Sequence, residues 1–276
     1  RIQAGQAPLD MDRLPHGEAG FAGGDDDLGR SGHEAARGRG FEGGNLSMSD
    51  SPPSSTRIKP DDQRPEHPDF WCKRFGEGIT PWDAGRVPNA FADFVARQPA
   101  PLDTLIPGCG SAWEARHLVD LGWPVTALDF SPAAVATARG VLGDAAVDLV
   151  CEDFFTFSPR RPYQLLYERA FLCALPRKLW PDWGRRVAEL LPRDGLLAGY
   201  FFVCDQPMGP PFGILPGQLD ELLAPNFTRI EDAAVDDSIP VFAGRERWQV
   251  WRRLAAGHHT ASGEAQVADR TSGNRS

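Results

Sequence analysis

Apolar residues in the middle of the chain follow two periods in turn. Short runs at Leu102–Pro107, Pro124–Leu128, Ala146–Cys151, Tyr163–Tyr167 and Leu196–Cys204 are too short for helices and are bounded by Gly, Pro or acidic residues, which predicts buried strands. Between them, apolar positions recur at helical spacing. Ala112, Ala115, Leu118 and Val119 mark a helix over Ser111–Leu121 that Gly122 stops. Ser131 before Pro132 is an N-cap with proline at the first helical position, which opens a helix over Pro132–Leu142. Further helices are expected at Pro181–Leu191 and Pro216–Leu223, and final strands at Phe227–Ala234 and Arg247–Arg253. Strands alternating with helices predict an α/β fold. Its doubly wound, mostly parallel seven-stranded sheet would close with an antiparallel edge formed by the last two strands.

Composition limits where that fold lies. Residues 1–66 contain only two aromatics, Phe21 and Phe41, among Gly-, Asp- and Pro-rich runs, and all eight tryptophans come later. Such a segment cannot bury enough apolar surface to offset its ordering entropy, so it is expected to be a disordered extension. Met48 opens Met-Ser-Asp-Ser-Pro-Pro and is the expected native start, with residues 1–47 as upstream read-through or a fragment artefact. The domain is expected over residues 67–254, with a disordered tail at 255–276. A net charge of −9 argues against a nucleic-acid surface built on basic residues. The longest apolar run, Leu196–Cys204, is about half of a membrane span. Five scattered cysteines without a CxxC pair fit a reducing cytoplasm and exclude an ordered disulfide framework or a cysteine-based zinc site.

The candidate chemistry begins after the first strand, at Pro107-Gly108-Cys109-Gly110-Ser111-Ala112-Trp113. A dinucleotide fingerprint wants a third glycine where Trp113 stands, so a ligand without a pyrophosphate fits better. Gly108 and Gly110 still let the backbone approach a ligand closely. Asp129 ends the second strand, nineteen residues after Gly110, where an acid can accept both hydroxyls of a ribose. Glu152-Asp153 follow the third strand. The glycine loop, the strand-end acid and this second acidic pair stand in the order used by class I S-adenosylmethionine methyltransferases.

Dispersed motifs sharpen that reading. They are Phe70-Trp71, Phe75, Thr80-Pro81-Trp82-Asp83, Leu105 to Gly110, Leu128 to Ser131, Glu152 to Phe155, Tyr167 to Phe171, Gly209 to Phe212 and Gly244 to Trp248. Together they resemble the thiopurine methyltransferase superfamily, most closely its bacterial and plant halide/thiol branch, over roughly Phe70 to Arg253. The resemblance implies a Rossmann-like class I fold that binds S-adenosylmethionine and a small thiol, sulfide or halide acceptor. It also implies a monomer; with the charge, the apolar runs and the cysteine usage above, a cytoplasmic protein without nucleic-acid or membrane partners is expected. Trp71 and Trp82 match lid tryptophans that close over the cofactor. Phe75 stands where many members have a third tryptophan. Gly108 and Gly110 match the loop beside the methionine part, Asp129 the ribose acid, and Asp153 with Phe154 the adenine-binding pair. Arg169 matches a residue lining the cofactor and acceptor pocket in bacterial members, and is the candidate catalytic residue. A surface ion pair with Glu168 is the competing expectation for Arg169.

The expected reaction is direct methyl transfer to a small soft nucleophile, a thiol or sulfide. The alternatives are a halide, a thiopurine or a chalcogen anion as acceptor, or a protein that binds the cofactor without turnover. A thiol with a pKa of about 8.5 is partly ionised at neutral pH, so no strong base is required, and the motifs offer none. Cys109 and Cys173 are read as packing residues, since no histidine pairs with them, and Gly209–Phe212 as a loop shaping the acceptor pocket. His258 and His259 fall in the predicted tail.

Overall fold

The computed structural model describes residues 59–255. The expected start at Met48, most of the predicted extension, and His258 and His259 lie outside them. Residues 59–66, assigned above to the extension, belong instead to the folded unit. A 3-10 turn forms at Asp61–Gln63. The Trp71 indole donates to the Pro65 carbonyl at 2.8 Å, and Lys178 pairs with Glu66 at 2.8 Å. Those two side-chain partners lie in the domain proper and are not visible in the segment's own composition.

Among the described residues seven strands form one sheet in the order β3-β2-β1-β4-β5-β7-β6. They are β1 (Thr104–Pro107), β2 (Val125–Leu128), β3 (Asp148–Val150), β4 (Leu165–Arg169), β5 (Leu196–Phe202), β6 (Phe227–Ala234) and β7 (Glu246–Arg253). The first five are parallel, and β7 runs antiparallel between β5 and β6. The predicted edge pair is therefore present. Its order brings the last strand inside, where Trp248, Val250 and Trp251 are buried.

Among the described residues six helices flank the sheet: α1 (Pro68–Gly76), α2 (Asn89–Ala96), α3 (Trp113–Asp120), α4 (Pro132–Leu142), α5 (Trp180–Leu190) and α6 (Pro216–Leu223). Successive strand residues serve opposite faces. Leu105 and Leu166 pack with Trp183 and Val187 of α5 and Leu219 of α6, while Ile106 and Leu165 pack with Phe91 of α2, Leu118 of α3 and Ala138 of α4. The result is three layers with the sheet between two apolar seams. Helix α4 keeps its predicted bounds because the punctuation works as read: Ser131 Oγ accepts from the Ala134 amide at 3.2 Å and Pro132 opens the helix.

Two differences bear on the site. Strand β4 covers Leu165–Arg169 rather than Tyr163–Tyr167, because Tyr163 packs on Phe157 ahead of the ladder while the polar pair Glu168-Arg169 continues it. Helices α1 and α2 had no predicted counterpart. Helix α1 is held on the start of α4, where the Cys72 sulfur lies 3.3 Å from Ser131 Oγ.

Candidate active site

The carboxyl ends of β1, β2, β3 and β4 open into a cleft of about 380 Å³. This is the side of an open parallel sheet where ligands bind. All nine residues expected there line it: Trp71, Phe75, Trp82, Gly108, Gly110, Asp129, Asp153, Phe154 and Arg169.

The loop after β1 requires its glycines. Gly108 has φ +60°, and a Cβ there would lie 2.5 Å from the Phe171 ring. Gly110 has φ +51°, and its bare Cα leaves room for the Phe75 ring, 3.6 Å from where a Cβ would sit. Left-handed backbone is costly for residues with a Cβ. Asp129, at the end of β2, braces the same loop. Its Oδ2 accepts from the Gly110 amide at 3.1 Å and its Oδ1 from the Ser131 amide at 2.9 Å. Burial pushes its pKa up to about 6, against the lowering effect of these two bonds. Each carboxylate oxygen retains a lone pair after those bonds, so Asp129 can still accept from a diol.

Asp153 and Phe154 follow β3. Asp153 Oδ1 is engaged by the Phe155 amide at 2.8 Å, leaving its second oxygen for a ligand. The Phe154 ring stands edge-on to Phe155 and Phe171, at 5.4 and 5.2 Å, as one wall of the cleft. Over the glycine loop, Trp82 meets Trp71 and Phe75 edge-on, at 5.3 and 5.9 Å. The three expected lid aromatics thus form one cluster facing the cleft.

Asp83 ties this aromatic segment to the glycine loop and the start of α3. Its carboxylate is bonded by the Ser111 hydroxyl, by Trp113 Nε1 at 3.1 Å and by the Gly85 amide at 2.8 Å. Trp113, which stands where dinucleotide sites have their third glycine, thus donates its indole N–H to the segment that carries Trp82. Asp83 belongs to the Thr80-Pro81-Trp82-Asp83 motif, which by itself implies no role for it. The only hint in the sequence was an acid beside a lid tryptophan.

Arg169 ends β4 with its side chain 10% exposed. Its Nη1 lies 3.5 Å from Glu114 Oε1, and its guanidinium carbon 5.2 Å from the centre of the Tyr200 ring. The competing ion pair with Glu168 does not form, because neighbouring residues of a strand point to opposite faces. Glu168 is buried and accepts from the Phe171 and Leu172 amides, and burial raises its pKa to about 8. Glu114, from the first turn of α3, also lines the cleft. Sequence reasoning missed it, since nothing local links it to a residue fifty-five positions on. Cys109 and Cys173 are buried at the cleft wall, and burial pushes both thiols well up, as suits packing residues. Pro210 and Pro211 of the expected pocket-shaping loop line the cleft too.

Comparison with known proteins bears on the family and the fold. The profile of the family described as Thiopurine S-methyltransferase (TPMT) matches residues 66–254. Thiocyanate methyltransferase 1 of Arabidopsis thaliana is 30% identical over 191 residues, covering 67% of this chain and 84% of the relative. Probable thiol methyltransferase 2 of the same plant is 29% identical, covering 69% and 87%. Thiopurine S-methyltransferase of Pseudomonas syringae pv. tomato is 25% identical, covering 58% and 83%. Among solved structures, a Burkholderia thailandensis 1,6-didemethyltoxoflavin-N1-methyltransferase bound to S-adenosylhomocysteine superposes with TM-score 0.57 at 19% identity, covering 68% of this chain and 87% of that one. Magnesium protoporphyrin IX methyltransferase from Synechocystis with bound SAM gives 0.55 at 15% identity, covering 73% and 100%. These two share the fold. The chain belongs to the thiopurine S-methyltransferase family, and it is a class I S-adenosylmethionine-dependent methyltransferase.

Proposed function

We propose that this enzyme methylates a small soft sulfur nucleophile, a thiol or sulfide, as a cytoplasmic monomer. The observation that carries the reading is Arg169. Its Nε is buried without a hydrogen-bond partner among the described residues, and the residue lines the cleft with Ala170, Phe171, Cys173 and Pro211. A buried unpaired donor calls for an acceptor, from a ligand or a water. An apolar wall with one such donor suits a small polarizable anion or its conjugate acid. The names of the relatives, thiocyanate and thiol methyltransferases, support the same acceptor class. No helix among the described residues is long and apolar enough to cross a membrane.

The residues fit the cofactor part by part. Asp129 would accept the ribose hydroxyls, and Asp153 with Phe154 would flank the adenine. Gly108 and Gly110 would admit the methionine part against the backbone. The rings of Trp71, Phe75 and Trp82 suit a sulfonium, which aromatic faces attract. When bound, S-adenosylmethionine supplies an electrophilic methyl carbon. The lid excludes water, and the β4–β5 side of the cleft aligns the nucleophile, an effect worth roughly 7–11 kcal/mol when the geometry is good. Arg169 favours the ionised sulfur at the moment of attack.

The test is release of S-adenosylhomocysteine with bisulfide, methanethiol, thiocyanate, iodide and a thiopurine in parallel. Sulfur acceptors are expected to exceed iodide. Arg169→Ala is expected to lower turnover more than it weakens cofactor binding. No turnover with any acceptor, while the cofactor binds, would overturn the reading.

A further inference from the structure

The Arg169–Glu114 pair has an asymmetric shape. Glu114 Oε1 takes Arg169 Nη1 at 3.5 Å and the Tyr167 hydroxyl at 3.4 Å. No side chain among the described residues bonds its Oε2. The Glu114 side chain is 12% exposed and lines the cleft, as do Tyr167 and Arg169. A carboxylate oxygen with no side-chain partner and a guanidinium Nε–H with no partner among the described residues therefore belong to one ion pair at one cleft. Other polar and charged groups surround that pair. Glu246 and Tyr200 face Arg169, and Asp237, tied to Arg86 at 2.9 Å, lies within reach of its charge. Glu114 itself is faced by Arg169, Tyr167 and the Cys109 thiol. Burial raises the carboxyl of Glu114, which moves it toward the range where a base is useful at neutral pH.

We propose that Glu114 is the proton acceptor for thiol substrates. This rests on the sulfur-acceptor reading above. The thiol enters uncharged, so the apolar wall costs it little hydration. Its S–H proton passes to Glu114 Oε2, and Arg169 pairs with the sulfur as it ionises. The sulfur lone pair then forms the bond to the methyl carbon as the bond from that carbon to the cofactor sulfonium breaks. The electron pair of the broken bond returns to the cofactor sulfur, leaving two neutral thioethers. The proton leaves Glu114 for solvent once the products depart. Thiocyanate and iodide carry no proton and do not need this step.

The experiment compares kcat/KM for a neutral alkyl thiol and for thiocyanate in the natural protein and in Glu114→Gln. The expected result is a fall of about 10²-fold in the thiol-to-thiocyanate ratio. A purely structural role would lower both acceptors together, and an unchanged ratio overturns the proposal while leaving the methyltransferase reading intact. A natural protein that uses thiocyanate and no thiol also overturns it. Absence of turnover with every acceptor overturns both. The solvent deuterium isotope effect of the natural protein needs no variant to fold. A normal effect with the thiol and none with thiocyanate supports the proton transfer, and equal effects contradict it.

Discussion

Asp129→Asn separates the two demands placed on one carboxyl. In the free protein Asp129 is 8% exposed, and its pKa stands near 6 against an ordinary 3.8, chiefly through burial. The native state therefore holds a proton that the unfolded chain releases between about pH 4 and pH 6, so native stability falls as pH rises through that window and levels off above it. A shift of roughly two pKa units at 1.36 kcal/mol each amounts to about 3 kcal/mol. Asparagine does not titrate. The stability of the variant relative to the natural protein should thus improve by about 3 kcal/mol between pH 4 and pH 7. Against that constant shape stands a fixed loss, because one amide oxygen replaces two carboxylate oxygens for the Gly110 and Ser131 amides. Cofactor binding should move the other way. A lost charged hydrogen bond costs about 1.5–3 kcal/mol, which is roughly 10- to 100-fold in the cofactor KM. Urea melts of both proteins from pH 4 to pH 7, with cofactor kinetics at pH 7.5, provide both readings. A stability difference that does not vary with pH would refute the buried-carboxylate reasoning. An unchanged KM would refute the ribose role.

Other substitutions probe the loop and the lid. Gly108→Ala places a methyl group 2.5 Å from the Phe171 ring at φ +60°. Left-handed strain of about 1–2 kcal/mol plus a forced ring shift of about 1–3 kcal/mol predicts a loss of about 2–5 kcal/mol in a denaturant melt. Asp83→Ala removes the bonds from Ser111 and Trp113 to the lid. It should raise the cofactor KM about tenfold and speed S-adenosylhomocysteine dissociation in stopped-flow tryptophan fluorescence, for a lost interaction of about 1.4 kcal/mol. An unchanged dissociation rate would show that Asp83 does not hold the lid.

The parts of the fold legible in the sequence were those specified by neighbours in the chain. Ser131 and Pro132 mark the start of α4, and the same stretch supplies Asp129 at the end of β2. The glycine loop, Asp129 and Asp153 were readable as a site because parallel strands deliver their carboxyl ends to one edge. Helix α2 also carried its signal, with Phe91, Phe94 and Val95 at helical spacing, but its eight residues follow Pro88 and form too short a pattern. Helix α1 spends its aromatics on the cleft as well as the core, with Phe70 buried and Trp71 and Phe75 at the cleft, which blurs its period. Partners set by the fold were not legible. Arg169 has Glu168 beside it in sequence and Glu114 beside it in space. The pairing of Asp83 with Trp113 spans thirty residues and two loops. Lys178 and Glu66, which help fix the start of the domain, are 112 positions apart.

The central claim is that this cleft moves a methyl group from S-adenosylmethionine to sulfur. The most direct measurement incubates the protein with cofactor carrying a ¹³C-labelled methyl group and with bisulfide or methanethiol, and follows the volatile product by mass spectrometry. The account predicts labelled methanethiol or dimethyl sulfide in step with S-adenosylhomocysteine, at a rate sharply reduced in Asp129→Asn at low cofactor concentration. Cofactor bound in the cleft with no label transferred to any sulfur acceptor would contradict it.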